Sequence, residues 1–212
     1  MRLRSLLAAG LIVITPAFAG DKVFTPDTNH TVLGFKASTM LFDVPGRFGH
    51  YKAEIQGDPD TLSPVRVRLE IDAKSINTSN KMRDDHLRGE DFFNVGSYPK
   101  IVFTSNKAWR QGDKIVVQGT LEMHGKARDL QISFQEAKGL NGADMPTWSY
   151  KATLPLKRSD FGIGAESVAA KISLKDDIEL DLLMVGFFND PEPPQPVKAK
   201  THSKAKAKAK SE

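Results

Sequence analysis

The chain of 212 residues contains no cysteine. That excludes disulfides, thiolate zinc sites, iron–sulfur clusters, a cysteine nucleophile and an acylated lipoprotein cysteine. A chain of this length buries a core without covalent staples, so the absence is compatible with export. No apolar run reaches the length of a bilayer-spanning helix. There is no GxSxG elbow, no HExxH pair and no P-loop lysine. The five histidines, His30, His50, His86, His124 and His202, include no two at metal-ligand spacing. Gly162-Ile163-Gly164 is an isolated GxG that reads as a turn. No metal and no cofactor is expected.

An excess of one charge is also missing from most of the chain. The formal net charge is +4. Residues 1–19 carry Arg2 and Arg4, and residues 191–212 carry six lysines against Glu192 and Glu212. Residues 20–190 then hold 22 basic and 24 acidic side chains, which argues against a nucleic-acid partner for the folded part.

The two ends read as processing and tail segments. A basic start, an apolar run over 6–14 and Ala17-Phe18-Ala19 form the three regions of a secretory leader. Cleavage is expected after Ala19, with export most simply to a bacterial periplasm; an uncleaved anchor is the alternative. Residues 191–212 begin with closely spaced prolines and continue as a Lys/Ala alternation with no large apolar residue to bury. This reads as a disordered, solvated tail whose charge also suits weak contact with anionic lipid or cell-wall polymer.

The stretch 20–190 reads as one domain. Residues 65–73 alternate Val65, Val67, Leu69, Ile71 and Ala73 with Arg66, Arg68, Glu70 and Asp72, the period of a half-buried strand. The alternation recurs over 114–123, 130–135, 148–156 and 178–184, with Ile172 and Leu174 continuing one face, and more weakly over 31–39, 46–56 and 99–107. Turn signals fall between, including Gly57-Asp58-Pro59, His124-Gly125 and Lys175-Asp176-Asp177. Apolar faces backed by charged ones predict an all-β, antiparallel closed barrel of about eight strands with an oily interior. A membrane barrel needs the inverse arrangement. One segment, 79–89, lacks β-branched residues, follows cap-type residues Asn77, Thr78 and Ser79, and ends at Gly89; it predicts a short helix capping the barrel, with Asp84 and Arg88 spaced to pair. The adjacent Phe92 and Phe93 are expected to fold over an open barrel end.

Arg83, Asp84 and His86 offer an acid and a base. A structural reading is preferred, namely helix capping, an Asp84–Arg88 pair and a carboxylate holding His86, because no nucleophile or metal accompanies the cluster; polar contact to a ligand headgroup at the barrel mouth is compatible with it.

The order of motifs resembles the YceI family of secreted bacterial proteins. The resemblance rests on Asp27-Thr28-Asn29-His30-Thr31-Val32-Leu33-Gly34-Phe35, on Gly46-Arg47-Phe48 and on Ile55-Gln56-Gly57-Asp58. It continues through Ser75-Ile76-Asn77-Thr78, Arg83-Asp84-x-His86-Leu87 and Asp91-Phe92-Phe93, then Tyr98-Pro99 and Phe103-x-Ser105. Gly119-x-Leu121 with Gly125, and Arg158-Ser159-Asp160-Phe161-Gly162, complete it over about 21–188. Two departures are Thr31, where the family usually has Ser, and the stretch 36–40, which lacks the family's common His. The basic tail lies outside the pattern. The resemblance implies a lipocalin-like barrel that binds a long-chain amphiphile (a polyisoprenoid, an isoprenoid quinone or a fatty-acid derivative) without enzyme activity.

The expected ligand-binding side chains are Phe35, Leu69, Ile71, Phe92, Phe93, Phe103, Leu121, Phe134, Leu154 and Leu182 along a tunnel, with Asn80, Arg83, His86 and Arg158 at its polar mouth. An enzyme modifying such a lipid through Arg83, Asp84 and His86, and a stress-related structural protein acting through its basic tail, are the competing readings.

Overall fold

The computed structural model describes residues 21–62 and 65–191. The expected leader over 1–19 and the tail beyond 191 lie outside the described residues. The sheet is built from β1 Lys22–Pro26, β2 Val32–Thr39, β3 Asp43–Phe48, β4 Tyr51–Gly57, β5 Arg66–Asp72 and β6 Ile76–Asn77. It continues with β7 Lys100–Gln111, β8 Lys114–Met123, β9 Lys126–Leu140, β10 Pro146–Lys157 and β11 Leu174–Asn189. Two short helices interrupt it, α1 Lys81–Arg88 and α2 Val168–Ser173.

The sheet closes because β11 serves three neighbours. It pairs β10 along one edge; along the other it pairs β2 through residues 174–183 and β1 through residues 186–189. With β1 also bound to β4, the ring β1–β4–β5–β7–β8–β9–β10–β11 is a closed antiparallel barrel of eight strands, and β2, β3 and β6 extend its wall at one end. Closure leaves no free edge around the ring. The seam depends on Gly186: a Cβ there would fall 2.2 Å from the Thr25 carbonyl oxygen and 2.6 Å from the Phe24 ring. Phe24 is thereby buried against Phe188, 5.1 Å away and edge-on.

Strand parity sets the interior. Along β8, Ile115, Val117, Leu121 and Met123 turn inward and are buried, and on β9 Ile132 joins them. Lys175, Asp177, Glu179 and Asp181 of β11 alternate outward and are exposed.

The sequence reading departs from the fold at four places. The weak segment 46–56 is two strands, broken at Gly49-His50. The helix starts later than expected, at Lys81, and its cap is Asn80, whose Oδ1 accepts the Arg83 N–H at 3.1 Å. Ile172 does not continue a strand face; it lies exposed on α2, which Ser167 opens by accepting the Ala170 N–H at 3.2 Å. Lys175-Asp176-Asp177 is not a turn but part of β11, where a register shift between Leu174 and Ile178 absorbs the acidic pair.

Candidate functional site

Both helices lie at the same end of the barrel, the end where β2 meets β3 and β8 meets β9. The link into α1 is held from inside. Asp84 Oδ1 accepts the Thr78 hydroxyl at 2.6 Å and the Thr78 N–H at 2.8 Å, and both residues are buried. Arg83 donates from Nε to Thr78 Oγ1 at 2.7 Å and from Nη2 to Thr78 O at 2.8 Å, while its Nη1 makes no hydrogen bond to the described residues. The expected Asp84–Arg88 pair does not form, because Asp84 is turned inward onto Thr78. Arg88 pairs with Asp85 at 2.9 Å instead and donates to the carbonyls of Lys74 and Ile76. His86 stacks edge-on to Phe92 at 5.1 Å, and its Nε2 stands 3.6 Å from Asp91 Oδ2.

Arg158 organises the second half of this end. Its guanidinium donates to the carbonyls of Ile163 at 2.9 Å, Lys175 at 3.2 Å, and Ala170 and Leu174 at 3.4 Å. Asp176 fixes the start of the same segment, accepting the Ser159 N–H at 3.0 Å and its hydroxyl at 2.7 Å. Those bonds hold the Asp176 carboxyl below its ordinary pKa, the side-chain bond from Ser159 contributing most. Gly162 and Gly164, both at positive φ, turn the chain back, so the isolated GxG is a turn as the spacing implies. His124 Nδ1 donates to the Phe161 carbonyl at 2.9 Å, tying the β8–β9 turn to this segment.

Beneath this cap the barrel encloses a cavity of about 490 Å³. Its walls carry Leu69 and Ile71 from β5, Phe103 from β7, Leu121 from β8, Phe134 from β9 and Leu182 from β11. Phe35 lines it from β2, with its ring lying over Gly46, where a Cβ would meet that ring at 2.2 Å. Phe92, Phe93, Arg83, His86 and Arg158 border it at the capped end. At the far end Leu62 is buried beneath the 58–62 loop, and Arg110 and Lys138 pair with Glu136 and Asp60 around Tyr150. Burial, then the Glu136 carboxylate, pushes the Tyr150 phenol above its usual range.

Two expected site residues fall elsewhere. Asn80 is spent on capping α1 and lies on its outer side with Lys81, Met82 and Asp85. Leu154 packs against the core but does not border the cavity. Other lining residues were not anticipated, among them Phe42, Val44, Ile163, Ala169 and Ser173. Phe42, Ala169 and Ser173 are all exposed, so the cavity reaches the surface between the β2–β3 tip and α2. The available signal was Met40-Leu41-Phe42, three large apolar residues at the tip of a hairpin, where polar residues are the rule.

Among the described residues no group of three or more His, Asp or Glu is placed to hold a metal ion. The surroundings of the cavity are those of a container: an aliphatic and aromatic lining, with Arg83, His86 and Arg158 bordering it at the capped end.

A closed antiparallel barrel around an elongated apolar cavity, capped by a short helix, defines a lipocalin-like class of binding protein. Residues 24–185 match the family model of the YceI-like domain, and the chain belongs to that family. A UPF0312 protein of Shewanella sp. (strain W3-18-1) is 28% identical over 190 residues, covering 87% of this chain and 96% of that protein. The crystal structure of Burkholderia cenocepacia BcnA superposes with a TM-score of 0.68 at 26% identity, over 77% of this chain and all of that one. A polyisoprenoid-binding domain from Saccharophagus degradans shares the fold, with a TM-score of 0.55 at 16% identity over 80% of this chain and 98% of its own.

Proposed function

We propose that this protein is a periplasmic carrier that sequesters a long-chain amphiphile, of the polyisoprenoid, isoprenoid-quinone or fatty-acid type, with its hydrocarbon chain in the barrel. One observation carries the reading: the cavity of about 490 Å³ is lined along the barrel by apolar side chains, with Arg83, His86 and Arg158 at its capped end. Ligand pockets fall in this size range. Each methylene taken from water gains about 0.8 kcal/mol, so a dozen give a gross ~10 kcal/mol. The ligand's lost freedom offsets a good part of that.

Methylenes are alike, so selectivity falls to chain length, bend and the polar end. There Arg83 Nη1 is a donor available to a headgroup oxygen, whereas Arg158 has its nitrogens committed to carbonyls and acts by holding the cap in place. Binding rather than catalysis fits a cap whose Asp84 and Arg158 are spent on the protein's own hydrogen bonds. Export to the periplasm rests on the leader-like start of the sequence.

The test is extraction. The purified, folded protein is denatured, extracted with organic solvent and analysed by mass spectrometry. A long-chain amphiphile near one per barrel is expected. Repeatedly empty extracts would overturn the proposal, and turnover of the extracted lipid, lost in His86→Ala, would replace it with an enzyme.

A further inference from the structure

Large apolar side chains are exposed at the cavity mouth. Met40, Leu41 and Phe42 form the tip between β2 and β3, and Leu41 is 90% exposed. Val168 and Ile172 stand one helical turn apart on the outer side of α2, with Ile172 73% exposed. The two groups are neighbours, since Thr39 pairs with Leu174 at the base of both. Both also run into the cavity: Phe42 from the tip and Ala169 and Ser173 from α2 line it. The apolar surface is therefore continuous from outside the protein to the interior of the barrel.

We infer that this rim docks onto a lipid bilayer, inserting Met40, Leu41, Val168 and Ile172 among the headgroups so that the cavity mouth faces the acyl region. The inference rests on the cavity being a lipid site. The continuity selects the occupant: a hydrocarbon chain passing between a membrane and the cavity crosses no polar surface if the rim is buried in lipid, and meets water if it is not. Clustered exposed apolar side chains mark interaction surfaces, and here the two groups flank an opening into the barrel. The charge beside the rim is mixed, since Asp43 and Glu166 are exposed next to it. The three residues of the tip carry none, and Lys171 lies on the exposed side of α2 between Val168 and Ile172, where its ammonium reaches phosphate oxygens while its stem stays with the apolar pair. Attachment is thus dominated by apolar insertion, which salt does not screen.

The experiment is vesicle flotation of the protein, as its host processes it, with phosphatidylcholine vesicles at about 0.5 M salt, where charge attraction reaches only a few ångströms. The same protein is then given a fluorescent fatty-acid probe from solvent, without vesicles. The test variant is Met40→Ser/Leu41→Ser/Val168→Ser/Ile172→Ser, which leaves the cavity lining untouched. The control is Leu140→Ser, 68% exposed at the opposite end of the barrel. The expected result is salt-resistant flotation of the native protein, a loss of ~10-fold or more in the rim variant, no change in the control, and unchanged probe binding in both variants.

Failure of the native protein to float, or a rim variant that floats as well as it does, overturns the docking proposal. So does a rim variant that turns a dimer into a monomer, because the rim then serves a second copy of the chain. Probe bound without flotation sinks the rim alone. Flotation without probe binding keeps the rim as a membrane surface and sinks the carrier reading.

Discussion

Asp84 and Thr78 are joined by two hydrogen bonds to one carboxylate oxygen, at 2.6 and 2.8 Å, and both residues are buried. The pair locks the start of α1 to the barrel end and presents the Arg83 guanidinium at the cavity. Asp84→Ala leaves a buried N–H and a hydroxyl without an acceptor, and should cost ~2–3 kcal/mol in denaturant unfolding and speed probe release. Asp84→Asn keeps a carbonyl acceptor and should cost less. Equal effects from the two substitutions would mean that the charge, not the bonding, holds the cap.

Leu121 and Leu154 are the pair that separates lining from core. Leu121 borders the cavity and Leu154 does not. Leu121→Asp, titrated with an apolar fluorescent probe, should weaken binding at least ~10-fold in protein that still folds, since a carboxylate there is desolvated by the ligand. Leu154→Ala should lower stability by ~1–2 kcal/mol and leave probe affinity within about a factor of two. The reverse outcome would show that the chain lies along β10 rather than β8.

The closing seam predicts a sharp difference between two glycines. Gly186→Ala drives a Cβ to 2.2 Å from the Thr25 carbonyl, whereas at Gly139 nothing lies within 4 Å. The first should destabilise by ~2 kcal/mol or more and the second by well under 1 kcal/mol, read from thermal or denaturant midpoints.

Acid should open the cap. The Asp176 pKa is lowered from 3.8 by its bonds to Ser159. A carboxylate with a depressed folded pKa stabilises the fold fully above its unfolded value, and the effect fades as pH falls through the folded one. Probe release should therefore accelerate below about pH 4, a window set by the Asp176 shift. Asp176→Asn should release faster already at neutral pH and respond less to acid. A variant with native pH dependence would place the acid response elsewhere.

The walls of the cavity were legible because strand parity is a local signal. The alternation over 114–123 coincides with β8, and Leu69, Ile71, Leu121 and Leu182 turn inward as the period of two requires. α2 was not legible: six residues hold too few apolar positions to set a helical period, and Ile172 and Leu174 alternate as a strand would. Asn80 lies outside the cavity lining because an asparagine before a helix suits a cap and a ligand contact alike in sequence, and the bond to the Arg83 N–H makes it a cap. The seam at Gly186 brings β1 and β11, from opposite ends of the chain, into register, and no local pattern contains it.

The length of β11 has a mechanical consequence. Its 16 residues run from Leu174, beside the opening, to Asn189, paired with Val23 at the other extremity. A strand of that many residues is about 50 Å long. Whatever grips the chain beyond Asn189 holds the barrel by its foot, and a leash attached there leaves the opposite pole free to swing toward another surface.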